Sequence, residues 1–325
     1  VKEGWERTEL PTSLDLKQIN QIIEPVLSGK VVVAAERLGG GFSNSNYKVH
    51  LEGSVNPYVL RLFRGEGEIA DKELAISKLV IETVPVADYI YIDTSCDTFD
   101  KSWAILEWKE GILLRDVFKI GIIEDIGSAA ASVGKTLANI HSYTFPQSGF
   151  FDKNLNISQP FSMDSEQFLS LMEQSLFHSP SGKWLGEELA KELWFFCQTH
   201  GSLLSEYEET PVLVHSDFNG LNILMQQSPT GYAVSAVLDW EFAFSWRRYA
   251  DIANMLRYEE DGSIFEQHFI QAYQDHGGIL EGNWKLLSKL EDLVSLCDIL
   301  NHSTMDTPNR IRDVRRLIAK TVKNY

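Results

Sequence analysis

Apolar residues recur at helical spacing over Leu16, Ile19, Ile22, Ile23, Val26 and Leu27, with Ser13 ahead as a cap and Gly29 behind as a stop, which predicts a leading helix over residues 13–28. Strand-like runs follow at Val31 to Val33, Tyr47 to Leu51 and Tyr58 to Phe63, separated by a glycine-rich break and a turn near Gly53 to Pro57. A helical stretch from Glu68 to Ile81 precedes two more strands, Tyr89 to Ile92 and Trp103 to Glu107. Past the polar joint Lys109-Glu110-Gly111 the pattern turns helical: Ile126, Ala130, Val133, Leu137 and Ile140 make a core-facing stripe on a helix ending near His141. Residues 142–160, rich in Gly, Asn, Ser and Pro, read as loop, and helices are expected over about 164–178 and 186–207. A hairpin occupies Pro211 to Asp239, turning at Ser228-Pro229-Thr230-Gly231. Helices over 251–258, 264–275, 284–300 and 309–322 close the chain, the last behind Thr307-Pro308. The pattern predicts an α+β protein with an antiparallel-sheet lobe over 1–108 and a mainly helical lobe over 109–325.

Composition narrows the function classes. A length of 325 residues suits two domains, and 44% hydrophobic with 11% aromatic residues is ordinary for a folded chain. A net charge of −17 argues against nucleic-acid and anionic-membrane partners and is compatible with a cationic substrate. The three scattered cysteines, Cys96, Cys197 and Cys297, lack the spacing of a disulfide framework or a zinc site and fit a reducing compartment. Without a spanning apolar run or a basic-then-apolar start, the expected location is cytoplasmic.

The chemistry concentrates in the hairpin. His215-Ser216-Asp217 stands at the end of an apolar run, Asn222 follows five residues after Asp217, and the returning run ends in Asp239. Such a hairpin brings Asn222 and Asp239 together with Asp217 beside them. One carboxylate and one amide carbonyl, completed by phosphate oxygens and water, suffice for Mg²⁺, while a carboxylate off the metal can orient an attacking hydroxyl. A polar turn followed by an unrelated acidic strand end is the plainer alternative.

The text H-S-D-F-N-G-L-N-I-L followed by L-D-W-E resembles the aminoglycoside phosphotransferase and choline kinase family, whose fold is protein-kinase-like. The segment G-G-G-F-S-N-S-N-Y-K-V is similar to that family's nucleotide loop. The resemblance spans about residues 30 to 260. It implies a Mg²⁺-dependent transfer of the γ-phosphate of ATP or GTP to a small-molecule hydroxyl. Asp217 would be the catalytic carboxylate, Asn222 and Asp239 the Mg²⁺ ligands, and His215 a brace for the loop. Asp251 would hydrogen-bond the loop backbone, with a helix N-cap as the competing account. In the first lobe, Gly39, Gly40, Gly41, Phe42, Ser43 and Asn44 would cradle phosphate, Arg61 would meet it with Glu73 as its partner, and Glu107 and Trp108 would form the hinge against the base. Asn44 stands at the position of the third glycine. Ser216, Asn219 and Gly220 also depart from the family's usual Gly, His and Pro, which weakens assignment to a subfamily.

The acceptor is open. Trp240, Trp246, Tyr249, Tyr258 and Trp284 amid Glu241, Glu259, Glu260 and Asp261 offer a place for an amine-bearing acceptor such as an aminoglycoside, a choline-like amine or an amino-sugar, or else they are core. The remaining histidines, among them His50, His141 and His178, read as surface or packing residues. Two other functions compete: a non-catalytic nucleotide-binding protein of the same fold, and a metal-dependent hydrolase using His215, Asp217 and Asp239.

Overall fold

In the computed structural model, which describes residues 2, 4–7, 12–27, 29–39, 44–65, 67–206 and 209–325, five strands pair antiparallel. They are β1 (Val32–Arg37), β2 (Ser45–Leu51), β3 (Tyr58–Leu62), β4 (Tyr89–Asp93) and β5 (Trp103–Glu107), in the order β1-β2-β3-β5-β4. Period-two alternation divides their side chains between two faces. Leu60, Trp103 and Ile105 pack against Ile19, Ile22 and Ile23 of helix α1 (Leu16–Ile23). Ala104 and Leu106 face the other way, where Ala70 of helix α2 (Gly67–Val80) meets them.

Helix α1 is shorter than its apolar pattern suggests. Asp15, not Ser13, caps it through a reciprocal pair of bonds with Gln18. Its regular bonding stops at Ile23, just before Pro25, which has no N–H to continue the ladder.

The second lobe is mainly helical. Its first elements are β6 (Ile112–Leu113), α3 (Leu114–Ile120) and α4 (Ile123–His141), the last burying Ala130, Val133, Leu137 and Ile140 as its stripe predicts. Gly134 lets α9 (Ile264–Asp275) approach closely, since a Cβ there would lie 2.2 Å from the Phe269 carbonyl oxygen. Residues 142–160 are not all loop: β7 (Gly149–Phe151) pairs with β8 (Ile157–Pro160) and with β12 (Phe244–Trp246), which in turn pairs with β9 (Val212–Val214). Phe150, Phe161 and Phe244 pack there with ring centroids 4.9–5.9 Å apart, a long-range association that local composition does not reveal. Helices α5 (Ser165–His178), α6 (Pro180–Leu185) and α7 (Glu187–His200) lead to β9, and α8 (Tyr249–Leu256), α10 (Trp284–Asn301) and α11 (Pro308–Asn324) complete the lobe. Strands β10 (Ile223–Ser228) and β11 (Gly231–Val237) form a hairpin over the later part of the expected Pro211–Asp239 span, with β6 on its outer edge, while the first run of that span, β9, joins β12 in another sheet.

Candidate active site

A loop between β9 and β10 carries Asp217, and a buried carboxylate from α8 holds that loop in shape. Asp251, fully buried, accepts the backbone N–H groups of His215 (2.7 Å) and Ser216 (2.8 Å). It stands in the first turn of α8 behind the cap residue Arg248, so it serves the loop rather than the helix end. Ser216 adopts a left-handed backbone (φ 69°), a conformation that glycine takes without strain. The buried His215 ring lies 4.6 Å from the Trp240 ring and bonds the Leu238 carbonyl through Nε2 at 2.8 Å. The loop, the hairpin return and α8 are therefore tied together around Asp217.

Register across the hairpin sets the next pair. The Leu238 N–H donates to the Asn222 carbonyl at 2.8 Å, which puts Asn222 opposite the residue before Asp239. The Asn222 side-chain amide donates to the Asp217 carbonyl and carboxylate, leaving its own oxygen as the atom open to a cation. Burial works to raise the Asp217 carboxyl. Lys2, with His215 and Arg257 behind it, outweighs that effect and holds the group below the usual carboxylate range.

From the sheet lobe, Arg61 reaches the same point. Its Nη2 donates to Glu73 Oε1 (2.9 Å) and Asp239 Oδ1 (2.6 Å), and Tyr89 closes on Glu73 Oε2 at 3.1 Å. Burial opposes the Arg61 charge, but Glu73 and Asp239 prevail and its pKa stays well above the ordinary value. The Glu73 carboxyl is pushed up by burial, against the pull of Arg61. Arg61 Nε is buried with no hydrogen-bond partner, a donor that a phosphate oxygen would satisfy. Asn44 spans the lobes, donating to Glu241 (3.2 Å) and Asp239 (3.5 Å) while its oxygen accepts the Arg64 N–H.

Two cavities meet at these residues. The first, about 300 Å³, is lined by Gly39, Val59, Leu106, Glu107 and Trp108 together with Arg61, Asn222 and Asp239. Trp108 stacks under Lys48 Nζ (4.0 Å) and bonds Glu110, so its ring is fixed at the cavity mouth. The second, about 360 Å³, shares Leu221, Asn222 and Asp239 with the first and adds Asp217, Glu241, Phe242, Asn254, Asp298 and Arg310. Gly40, Gly41, Phe42 and Ser43 lie outside the described residues.

Several participants escape a sequence reading. Lys72 donates to the Glu241 carbonyl (2.7 Å), tying α2 to the hairpin return, and Asn254 donates to the Ser216 carbonyl (2.9 Å). His141 is not a surface or isolated packing residue: it is buried between Tyr273 (2.8 Å) and Asp251 (3.3 Å). Its place at the end of the α4 stripe is the sole local signal. The aromatic group proposed for a cation is largely core, since Trp240, Trp246 and Tyr249 are buried and Tyr258 bonds Asp313.

The family model described as Phosphotransferase enzyme family matches residues 34–285. The chain belongs to this phosphotransferase family. Solved structures agree on the fold, at identities too low to speak to substrate. Aminoglycoside phosphotransferase APH(4)-Ia superposes with a TM-score of 0.67 at 14% identity, covering 95% of this chain and 99% of that one. The GDP and kanamycin complex of APH(2")-IIia gives 0.69 at 18%, covering 94% and 99%. The GDP complex of wild-type aminoglycoside 2'-phosphotransferase-IIIa gives 0.71 at 17%, covering 96% and 99%. Comparison with curated proteins returns no match. Within this family's protein-kinase-like fold, the antiparallel sheet and the helical lobe frame the two joined cavities.

Proposed function

We propose that this phosphotransferase is a Mg²⁺-dependent small-molecule kinase moving the γ-phosphate of ATP or GTP to an acceptor hydroxyl. The observation that carries the reading is the shared wall of the two cavities, where Asn222 and Asp239 face both and Asp217 faces the second. The first cavity would take the nucleotide, with Gly39 and Asn44 near the phosphates and the backbone of Glu107 and Trp108 at the base. Structural neighbours bound to GDP support a nucleotide donor.

Asp217 would orient the acceptor hydroxyl. A carboxylate held below its usual range is ionised at neutral pH and a weak base toward an alcohol, so its main work is positioning, with proton acceptance late as the bond to phosphorus forms. Arg61, fixed as a cation by Glu73, would offset phosphate charge through its unpartnered Nε. The donor set fits Mg²⁺: Asp239 and the Asn222 oxygen are hard oxygen ligands and would hold it. When bound, Mg²⁺ neutralises phosphate charge and keeps the nucleotide in a reactive orientation. His215 and Asp251 would keep the loop rigid.

An amine-bearing acceptor, such as an aminoglycoside, choline-like amine or amino-sugar, is supported by Asp217, Glu241 and Asp298 on the second cavity and by a kanamycin-bound neighbour. A cytoplasmic site of action fits a nucleotide-dependent enzyme with three free cysteines. No helix of the described residues is long and apolar enough to cross a membrane. Against a metal-dependent hydrolase, the one trio of metal-ligating side chains found among the described residues is Glu73, Asp239 and Glu241, without a histidine.

Screening ATP and GTP consumption against aminoglycosides, amino-alcohols and sugars tests the reading. Mg²⁺-dependent consumption with a phosphorylated acceptor supports it. No consumption, and no thermal stabilisation by nucleotide with Mg²⁺, contradicts it.

A further inference from the structure

Described residues near the start of the chain contact both lobes. At α11, the Glu6 carboxylate accepts the backbone N–H groups of Asn309 (2.7 Å) and Arg310 (3.2 Å), and Trp5 Nε1 donates to Asp313 Oδ2 (3.0 Å). Toward the sheet, Arg7 Nη2 donates to the Asn44 carbonyl (3.4 Å) and the Thr12 N–H donates to Ser45 Oγ (3.1 Å). Lys2 and Trp5 form part of the second cavity's wall.

Lys2 Nζ lies 2.7 Å from Asp217 Oδ1. The same oxygen accepts Asn219 Nδ2 (2.8 Å), and Oδ2 accepts Asn222 Nδ2 (2.8 Å). Both oxygens that an acceptor hydroxyl would use are therefore engaged. Asn219 and Asn222 belong to the loop itself and hold its shape. Among the described residues, Lys2 is the one hydrogen-bond partner of the Asp217 carboxylate from outside the loop, and it lines the second cavity.

We propose that the segment carrying Lys2 and residues 4–7 is an autoinhibitory strap. Lys2 masks Asp217 until an acceptor displaces it, and idle hydrolysis of nucleotide is suppressed meanwhile. This rests on the phosphotransferase reading. In the idle reaction the oxygen of water bonds to the γ-phosphorus and the bond from phosphorus to the bridging oxygen breaks. ADP and inorganic phosphate leave, and the water's proton passes to Asp217 and then to solvent. The Lys2 side chain is 15% exposed and that of Asp217 22%, so the contact is reached by solvent and an incoming acceptor can exchange with it.

The test is acceptor-free hydrolysis of Mg·ATP by the full chain, beside Lys2→Ala and Glu6→Ala, the second loosening the strap without touching Asp217. Amide hydrogen exchange over residues 4–7 reports strap release independently of activity. Both variants are expected to exchange faster there and to hydrolyse ATP faster, by up to about fivefold, the scale of losing one partly exposed ion pair. Hydrolysis that is measurable but unchanged or slower in Lys2→Ala, or exchange that stays as slow in both variants, overturns the strap alone. If no form binds Mg·ATP by calorimetry or hydrolyses it, the phosphotransferase reading falls, and the strap with it.

Discussion

Asn222 donates both hydrogens of its side-chain amide to Asp217, one to the main-chain carbonyl at 2.9 Å and one to carboxylate Oδ2 at 2.8 Å. The Asp217 carboxylate and the Asn222 amide, proposed to serve the acceptor and Mg²⁺ respectively, are thereby locked to each other, so disturbing one group disturbs the other.

Asn222→Ala removes that lock together with a proposed Mg²⁺ ligand. The expected result is a fall in kcat of about a hundredfold and a higher Mg²⁺ requirement, on the scale of losing one positioned polar group. A Mg²⁺ titration of the initial rate checks both. An unchanged Mg²⁺ midpoint would remove Asn222 from the ligand set.

Arg61 makes a prediction on stability and binding at once. Arg61→Met leaves Glu73 buried without its cation and is expected to cost roughly 3 kcal/mol of unfolding free energy, by urea titration. Pairing it with Glu73→Gln should recover much of that cost without restoring nucleotide affinity. Restored affinity in the double variant would show that Arg61 serves the fold and not the phosphates.

Stability should also carry the mark of His141. Burial holds this imidazole below its ordinary pKa, although Asp251 pulls the other way. Between the unfolded value near 6.5 and the lower folded one, the unfolded chain binds the extra proton, so stability rises with pH in that window and is lost as pH falls through it. His141→Gln should flatten the slope there by up to about 1.4 kcal/mol per pH unit. Urea midpoints at pH 5.5 and 7.5 measure it, and an equal slope in both proteins would contradict the assignment.

The placing of the candidate site is legible from sequence because its information is local: Asn222 and Asp239 flank the β10–β11 hairpin, whose register brings them together, and Asp217 lies in the loop five residues before Asn222. Arg61 and Glu73 are legible for a similar reason, as a cation on a strand and a carboxylate on the next helix. What stays hidden is built from distant segments. Strands β7 and β12 exist by pairing across most of the second lobe, and His141 meets Asp251 from a separate helix. The contact of Lys2 with Asp217 joins residues 215 positions apart, and no pattern near either one announces it. Conversely, the sequence leaves Trp240, Trp246 and Tyr249 open as either a cation site or core, and burial assigns those rings to the core.

The most direct test of the account is single-turnover transfer of labelled γ-phosphate by Asp217→Ala, with Mg·ATP affinity measured on the same preparation by calorimetry. Transfer is expected to be abolished while nucleotide affinity stays within about threefold of the parent, because Asp217 lines the second cavity and not the first. Transfer at the parent's rate in that variant would contradict it.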